Sequence, residues 1–191
     1  MTLEPQDDTD LDKCFRQLPE EDVLPLTAPI YILGAFGGRF DHVMYHLGLL
    51  HRFPDRDIRL VGDGNVTRLL RPGRHQLQID AHRTEMDGIG LVPVTGPAVV
   101  STQGLRYNMD RMKLSFGVEG RLSTSNSVHK EVVQYLNERH RPAEVHRVHG
   151  VVYDTDDEVI PEAETYPVEI ITDAPLLYTV RSDLALDMKL K

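Results

Sequence analysis

Three short stretches hold residue types that could do chemistry. The first is QDDTDLDK, residues 6–13, which crowds Asp7, Asp8, Asp10 and Asp12 near a helix start. Two or more of these carboxylates suit Mg²⁺, a hard cation that takes oxygen ligands and usually arrives with phosphates. They equally suit the positive end of a helix with no ligand at all. The second is GAFGGRFDH, residues 34–42, lying between a hydrophobic run and a helix-like run. Glycines let a ligand approach the backbone, and a helix N-terminus favours anions. Arg39 is the residue type for bidentate phosphate contact, and Asp41 is placed to serve a metal, a hydroxyl or Arg39 itself. Without a ligand, Asp41 would cap the helix and Arg39 would pair with a surface acid. The stretch is no P-loop, because Lys-Ser/Thr does not follow the last glycine, and it is a poor dinucleotide fingerprint. The third is STSN, residues 123–126, whose hydroxyls and amide either read a heterocycle edge or form a plain turn.

The other candidates are weaker. His42 and His46 stand four apart on an expected helix but lack the glutamate of the zinc-protease pattern, so solvated or packed imidazoles are expected. His146 and His149 carry still less signal. Cys14 has no evident catalytic partner and is expected to be a buried helix residue. No nucleophile-elbow pattern occurs.

These residues need elements to position them. TDLDKCFRQL reads as a short helix with Thr9 as cap and Asp12 three residues on, a capping-box arrangement. IYILGAF reads as a buried strand, 41–53 as a helix, and RDIRLVGDG as a strand ending in an Asp63-Gly64 turn. This alternation predicts an α/β layer with a parallel sheet. Beyond LLRPGRH the pattern changes to short alternating runs broken by Gly, Pro and Asn over 75–126, which predicts a sandwich or barrel. A helix over 128–140, an acidic solvated loop over 153–164, two last strands (YPVEIIT and LLYTVRSD) and a frayed tail complete the plan.

Bulk composition narrows the function classes. The chain has 191 residues, 40% hydrophobic and 27% charged, with a formal net charge of -9. That balance argues against a broad nucleic-acid surface but leaves room for a local phosphate site. A single cysteine forms no internal disulfide and points to a reducing compartment. No apolar run is long enough to span a bilayer, and the acidic start reads as no secretory signal, so a cytoplasmic protein is expected. The start enters a capped helix with no preceding strand. That suggests a short N-terminus or a missing upstream segment.

Taken together, the stretches resemble the thiamine pyrophosphokinase family. QDDTDLDKC is similar to that family's D-x-T-D segment, and LGAFGGRFDH to its G-G-R-x-D-[HQ] turn. LLRPGRHQL, GLVPV, TQGLRYNM with LSFG, LSTSN and TDAPLLYTV resemble its β-domain in order, so the likeness runs from about residue 3 to about residue 180. The resemblance implies a partial Rossmann-like α/β layer over 1–71. A jelly-roll-like β-sandwich that binds thiamine would follow over 72–191, with an insertion at about 127–165. It implies transfer of pyrophosphate from ATP to the thiamine hydroxyl, giving thiamine diphosphate and AMP, in a homodimer that needs Mg²⁺. Asp10 and Asp7 would hold the metal. Gln6, Thr9, Gly37, Gly38 and Arg39 would contact nucleotide phosphates. Asp10, Arg39 and Asp41 would form the catalytic set, with Asp41 orienting or deprotonating the hydroxyl. Tyr107, where the family often has Trp, would wall the thiamine rings, while Ser123, Ser125 and Asn126 would read the pyrimidine. The family's upstream G-G-A and G-D-x-D-S motifs are expected to precede this chain's first residue. A rival expectation is a binding module that holds thiamine or thiamine diphosphate without turnover. A third is a structural subunit with an inherited fold.

Overall fold

The computed structural model describes residues 9–18, 24–80, 84–117, 120–128, 146–148, 151–153 and 165–182. The expectations for Gln6, Asp7, Asp8, His149, the helix from 129 onward, the acidic stretch from 154 and the tail lie outside the described residues.

The first helix, α1 (Asp10–Arg16), starts as its sequence predicts. Thr9 is the N-cap in extended conformation, its hydroxyl accepts from the Asp12 amide, and the Asp12 carboxylate accepts from the Thr9 amide. Strand β1 (Ile30–Leu33) leads through the glycine turn into α2 (Phe40–Arg52), then β2 (Ile58–Gly62) and β3 (Asn65–Leu70). Asp63 and Gly64 join β2 to β3 with φ of 47° and 71°. This is the mirror-image hairpin turn whose twist matches the strands and which Asp-Gly favours. There follow β4 (Gly73–Asp80), β5 (Thr84–Val92), β6 (Ala98–Gln103), β7 (Met112–Leu114) and β8 (Ser123–Asn126). Next come β9 (His146–Val148) and β10 (Val151–Tyr153), then β11 (Thr165–Thr172) and β12 (Leu176–Ser182).

Two large sheets result. One has six strands in the order β1-β2-β3-β12-β5-β8, and the other has four in the order β4-β11-β6-β7. β1 and β2 run parallel, and every other pairing within these sheets is antiparallel. β9 and β10 form a separate antiparallel pair. The six-stranded sheet therefore runs without a break from the α/β layer into the sandwich, because β12 returns from the chain's end to pair β3.

The cores follow the period of the strands. Leu70, Ile89, Leu91, Leu176, Tyr178 and Val180 of the larger sheet pack with Ile79, Val100, Leu114, Val168 and Ile170 of the smaller one. The opposite face of the larger sheet gives Ile58, Leu60 and Leu177, which pack with Leu49 and Leu50 of α2 and with partly buried Leu11 and Phe15 of α1. Adjacent residues Leu176 and Leu177 thus serve different cores, as alternation along a strand requires. Fully burying one such leucine is worth about 1.5–3 kcal/mol.

One expectation is corrected here: Cys14 is exposed. The inward side of α1 is taken by Leu11, Asp12 and Phe15, and Phe15 stacks on Phe53 with ring centroids 4.8 Å apart. Cys14 falls on the other side of that short helix. Among the described residues no helix is long and apolar enough to cross a membrane.

Candidate functional site

The glycine turn is held at its start and open at its tip. Ala35 is 1% exposed; its amide donates to Val61 O at 3.0 Å, and its carbonyl lies 2.9 Å from His46 Nδ1. Gly37 and Gly38 follow with φ of 88° and 68°. Among the described residues a Cβ at either would meet nothing within 4 Å, so glycine is favoured there by backbone conformation and not by space.

Arg39 is the N-cap of α2, with no side-chain capping bond. Asp41, two residues on, sits in the first turn, where its charge complements the helix dipole. Asp41 is therefore not the cap. Arg39 Nε donates to Asp41 Oδ1 at 3.0 Å, and its Nη2 pairs with Oδ2. This pairing depresses the Asp41 pKa and pushes that of Arg39 up. Both side chains are more than half exposed, so the pair is screened by water and contributes little to stability. It presents a pre-oriented guanidinium beside a helix N-terminus, a combination suited to an anion.

The start of α1 is tied to α2 by a network that the sequence did not reveal. Asp12, 8% exposed, accepts from Thr9 Oγ1 at 2.8 Å and from Arg52 Nη2 at 2.7 Å. The Tyr45 hydroxyl lies 2.7 Å from Thr9 Oγ1 and accepts from Arg52 at 2.7 Å. Hydrogen bonding from Tyr45 first, then from Thr9 and Arg52, holds the Asp12 carboxyl well below the usual carboxylate range. The Thr9 hydroxyl, expected at the nucleotide, is engaged in this clamp. Asp10 faces water, and Lys13 Nζ lies 3.1 Å from its Oδ1. The Asp10 carboxylate is a donor of the right type for Mg²⁺. Even so, no group of three or more His, Cys, Asp or Glu among the described residues could hold a metal ion. His42 and His46 form no such group either.

The third stretch lines a cleft of about 260 Å³ between the edge strands of the two large sheets. Tyr107, Ser123 and Asn126 line it together with Met109, Met112 and Arg121. The step from Ser123 to Asn126 on β8 is one residue longer than the facing step on β5, since Ile89 pairs Asn126 while Leu91 pairs Ser123. Such a bulge re-aims side chains and puts Ser123 and Asn126 on one face, where an unbroken strand would separate them. Ser125 takes the left-handed φ of 57°, is exposed and lies outside the cleft lining. Tyr107 is 60% exposed, with the Arg106 guanidinium 5.0 Å from its ring centroid. Asn126 is 3% exposed; its Nδ2 donates to Tyr107 O at 2.9 Å, and its Oδ1 accepts from the amides of Tyr107 and Ser127. The structure thus gathers Tyr107, Ser123 and Asn126 and pairs Arg39 with Asp41. Tyr45, Arg52, Met109, Met112 and Arg121 were not singled out from the sequence. Helical spacing on α2 and closeness to STSN were the only signals available for them.

A mixed sheet carrying helices on one face and a second β-sheet on the other defines an α/β-plus-sandwich class. Solved thiamine pyrophosphokinases share it. The Bacillus subtilis structure superposes with a TM-score of 0.63 at 19% identity, over 95% of this chain and 66% of that one. The Candida albicans structure gives 0.56 at 17% identity, over 82% of this chain and 45% of that one. Sequence matching is more specific. Residues 1–62 match the family model described as "Thiamin pyrophosphokinase, catalytic domain", and residues 74–135 match "Thiamin pyrophosphokinase, vitamin B1 binding domain". Thiamine pyrophosphokinase 3 of Oryza sativa subsp. japonica is 42% identical over 130 residues, covering 66% of this chain and 48% of that relative. Thiamine pyrophosphokinase 2 of Arabidopsis thaliana is 37% identical over 133 residues, covering 67% and 48%. The chain belongs to the thiamin pyrophosphokinase family, and it spans about half the length of these curated relatives.

Proposed function

We propose that this chain acts in transfer of pyrophosphate from ATP to the hydroxyl of thiamine, yielding thiamine diphosphate and AMP. The observation that carries the reading is the cleft between the sheet edges, where an exposed aromatic ring and a serine hydroxyl face one space. An aromatic face suits a cationic thiazolium, and hydroxyls suit a pyrimidine edge. Tyr107 walls the rings, Ser123 reads the heterocycle, and Ser125 contributes from the rim of the bulge.

On the α/β side, Gly37 and Gly38 leave the backbone approachable and Arg39 meets phosphate. Asp41 holds Arg39 in place and orients the attacking hydroxyl. In-line transfer of this kind needs positioning and charge neutralisation more than covalent chemistry. Thr9 serves the phosphates through the placement of α1, and Gln6 is assigned to the same nucleotide phosphates. Mg²⁺ would arrive with ATP and neutralise phosphate charge, with Asp10 and Asp7 as its carboxylates; the described residues complete no such site, and no step is routed through it. The assignment extends to a cytoplasmic homodimer working on small molecules, with residues 1–71 as its nucleotide side and 72–191 as its thiamine side.

The test is a titration of the chain with thiamine and with an ATP analogue plus Mg²⁺, followed by an AMP-release assay. Binding of both with thiamine-dependent AMP supports the reading. Thiamine binding without nucleotide binding or AMP supports a non-catalytic binder instead, and an absence of thiamine binding refutes the cleft.

A further inference from the structure

We infer that Asn126 serves the cleft as a positioning residue for Tyr107 and not as a hydrogen-bond acceptor for the ligand. The inference rests on the cleft being the ligand site. An asparagine side chain offers one oxygen with two lone pairs and two N–H donors. Both lone pairs of Asn126 are engaged, by the Tyr107 amide at 3.2 Å and the Ser127 amide at 2.9 Å. One N–H is engaged by the Tyr107 carbonyl at 2.9 Å. A single side chain therefore satisfies both backbone groups of Tyr107, much as a neighbouring strand would.

The surrounding loop explains why this matters. Arg106 N donates to Ser127 O at 2.7 Å, and Leu105 bridges Val128. On the far side, the Met109 carbonyl accepts from the Thr102 amide, and the Met109 amide donates to the Thr102 hydroxyl. Asn108 Oδ1 accepts from the Leu105 amide at 3.0 Å. Each neighbour of Tyr107 is thus held by β6, by the loop itself or by the chain just after β8. Tyr107 is held through Asn126. The Tyr107 ring is 60% exposed and meets the Arg106 guanidinium 5.0 Å from its centroid, so the placement of both depends on the main chain that carries them. The bulge in β8 is what brings Asn126 to this duty, by turning it to the same side as Ser123.

The chain contains no tryptophan, so Tyr107→Trp supplies a single fluorophore at the cleft. The first arm compares iodide quenching and anisotropy of that indole with and without Asn126→Ala. The expected result is a faster-quenched, less anisotropic indole at unchanged far-ultraviolet dichroism. Identical quenching and anisotropy would overturn the proposal. The second arm is a double-mutant cycle on thiamine affinity by calorimetry, using Asn126→Ala, Tyr107→Ala and the double variant. Each single change should weaken binding about tenfold, and the double should be within about threefold of the weaker single, since both remove one interaction. Losses that multiply to about a hundredfold would show that Asn126 touches the ligand independently, overturning the proposal. If Asn126→Ala does not fold, Asn126→Thr replaces it in both arms. Failure of the underlying site reading shows separately, as a wild-type chain that takes up no thiamine. The quenching arm alone then decides whether Asn126 holds Tyr107.

Discussion

Replacing Thr9 by alanine separates a structural role from a ligand role at a position where the two compete. In the structure the Thr9 hydroxyl accepts the Asp12 amide, bonds the Asp12 carboxylate and lies 2.7 Å from the Tyr45 hydroxyl. Loss of an N-cap costs about 1 kcal/mol, and loss of one further net hydrogen bond costs about another 1 kcal/mol. For a chain of 191 residues, about 2–4 °C of Tm accompanies each kcal/mol, so Thr9→Ala should melt about 4–8 °C lower. Thr9→Ser keeps the oxygen and should recover most of that loss. Differential scanning calorimetry gives the Tm, and amide exchange over 10–16 locates the change in α1. Pyrophosphate affinity measured on the same variants should fall for alanine and stay near wild type for serine. A Thr9→Ala chain that melts within about 1 °C of wild type would refute the clamp. Pyrophosphate binding lost at an unchanged Tm would instead return Thr9 to direct contact with the ligand.

The geometry sets the outcome of other perturbations. Leu176→Ala and Leu177→Ala, facing opposite cores, should each cost about 2–5 kcal/mol and shift one common urea transition seen by both fluorescence and dichroism; two separated transitions would count against the shared sheet. Burial lowers the His51 pKa, and its Nε2 is buried without a hydrogen-bond partner among the described residues, so the unfolded chain protonates first as pH falls below about 6.5. Stability should therefore drop through that window and flatten in His51→Leu. The Asp12 pKa is lowered too, so its contribution is full above about 3.9 and is lost as pH falls further, which Asp12→Asn should remove in urea midpoints measured against pH. Asp41→Asn should free the Arg39 guanidinium while leaving Tm within about 1 °C, because both side chains are exposed. Crystals of that variant soaked with pyrophosphate would show whether Arg39 still meets the anion.

Local chemistry was legible in the sequence, and long-range pairing was not. The capping box at Thr9 and Asp12, the turn at Asp63-Gly64 and the glycine turn before α2 each depend on residues within a few positions of one another. Their signals are residue types with one dominant use. Alternation over 75–126 likewise announced a sandwich or barrel. The partner of β3 depends on a strand more than a hundred residues later, and no short-range pattern encodes that choice. The cleft was half legible. STSN and TQGLRYNM marked its walls, but the bulge that sets Ser123 beside Asn126 is a register effect of β5 against β8. Asp12 was read as a helix-start charge because its burial depends on Tyr45 and Arg52 from α2.

The strand β12 decides what can be exchanged between relatives. It stands between β3 and β5, and its alternate side chains are spent on both sides of one sheet. A chimera that joined residues 1–71 of this chain to the remainder of a cousin would import a foreign β12 against the native β3. Six register positions, from Leu176 against Leu70 to Arg181 against Asn65, would have to agree at once. Recombination at the seam between the two family-model matches, convenient as it looks in the gene, would thus be tolerated only when the closing strand travels with the first third of the chain.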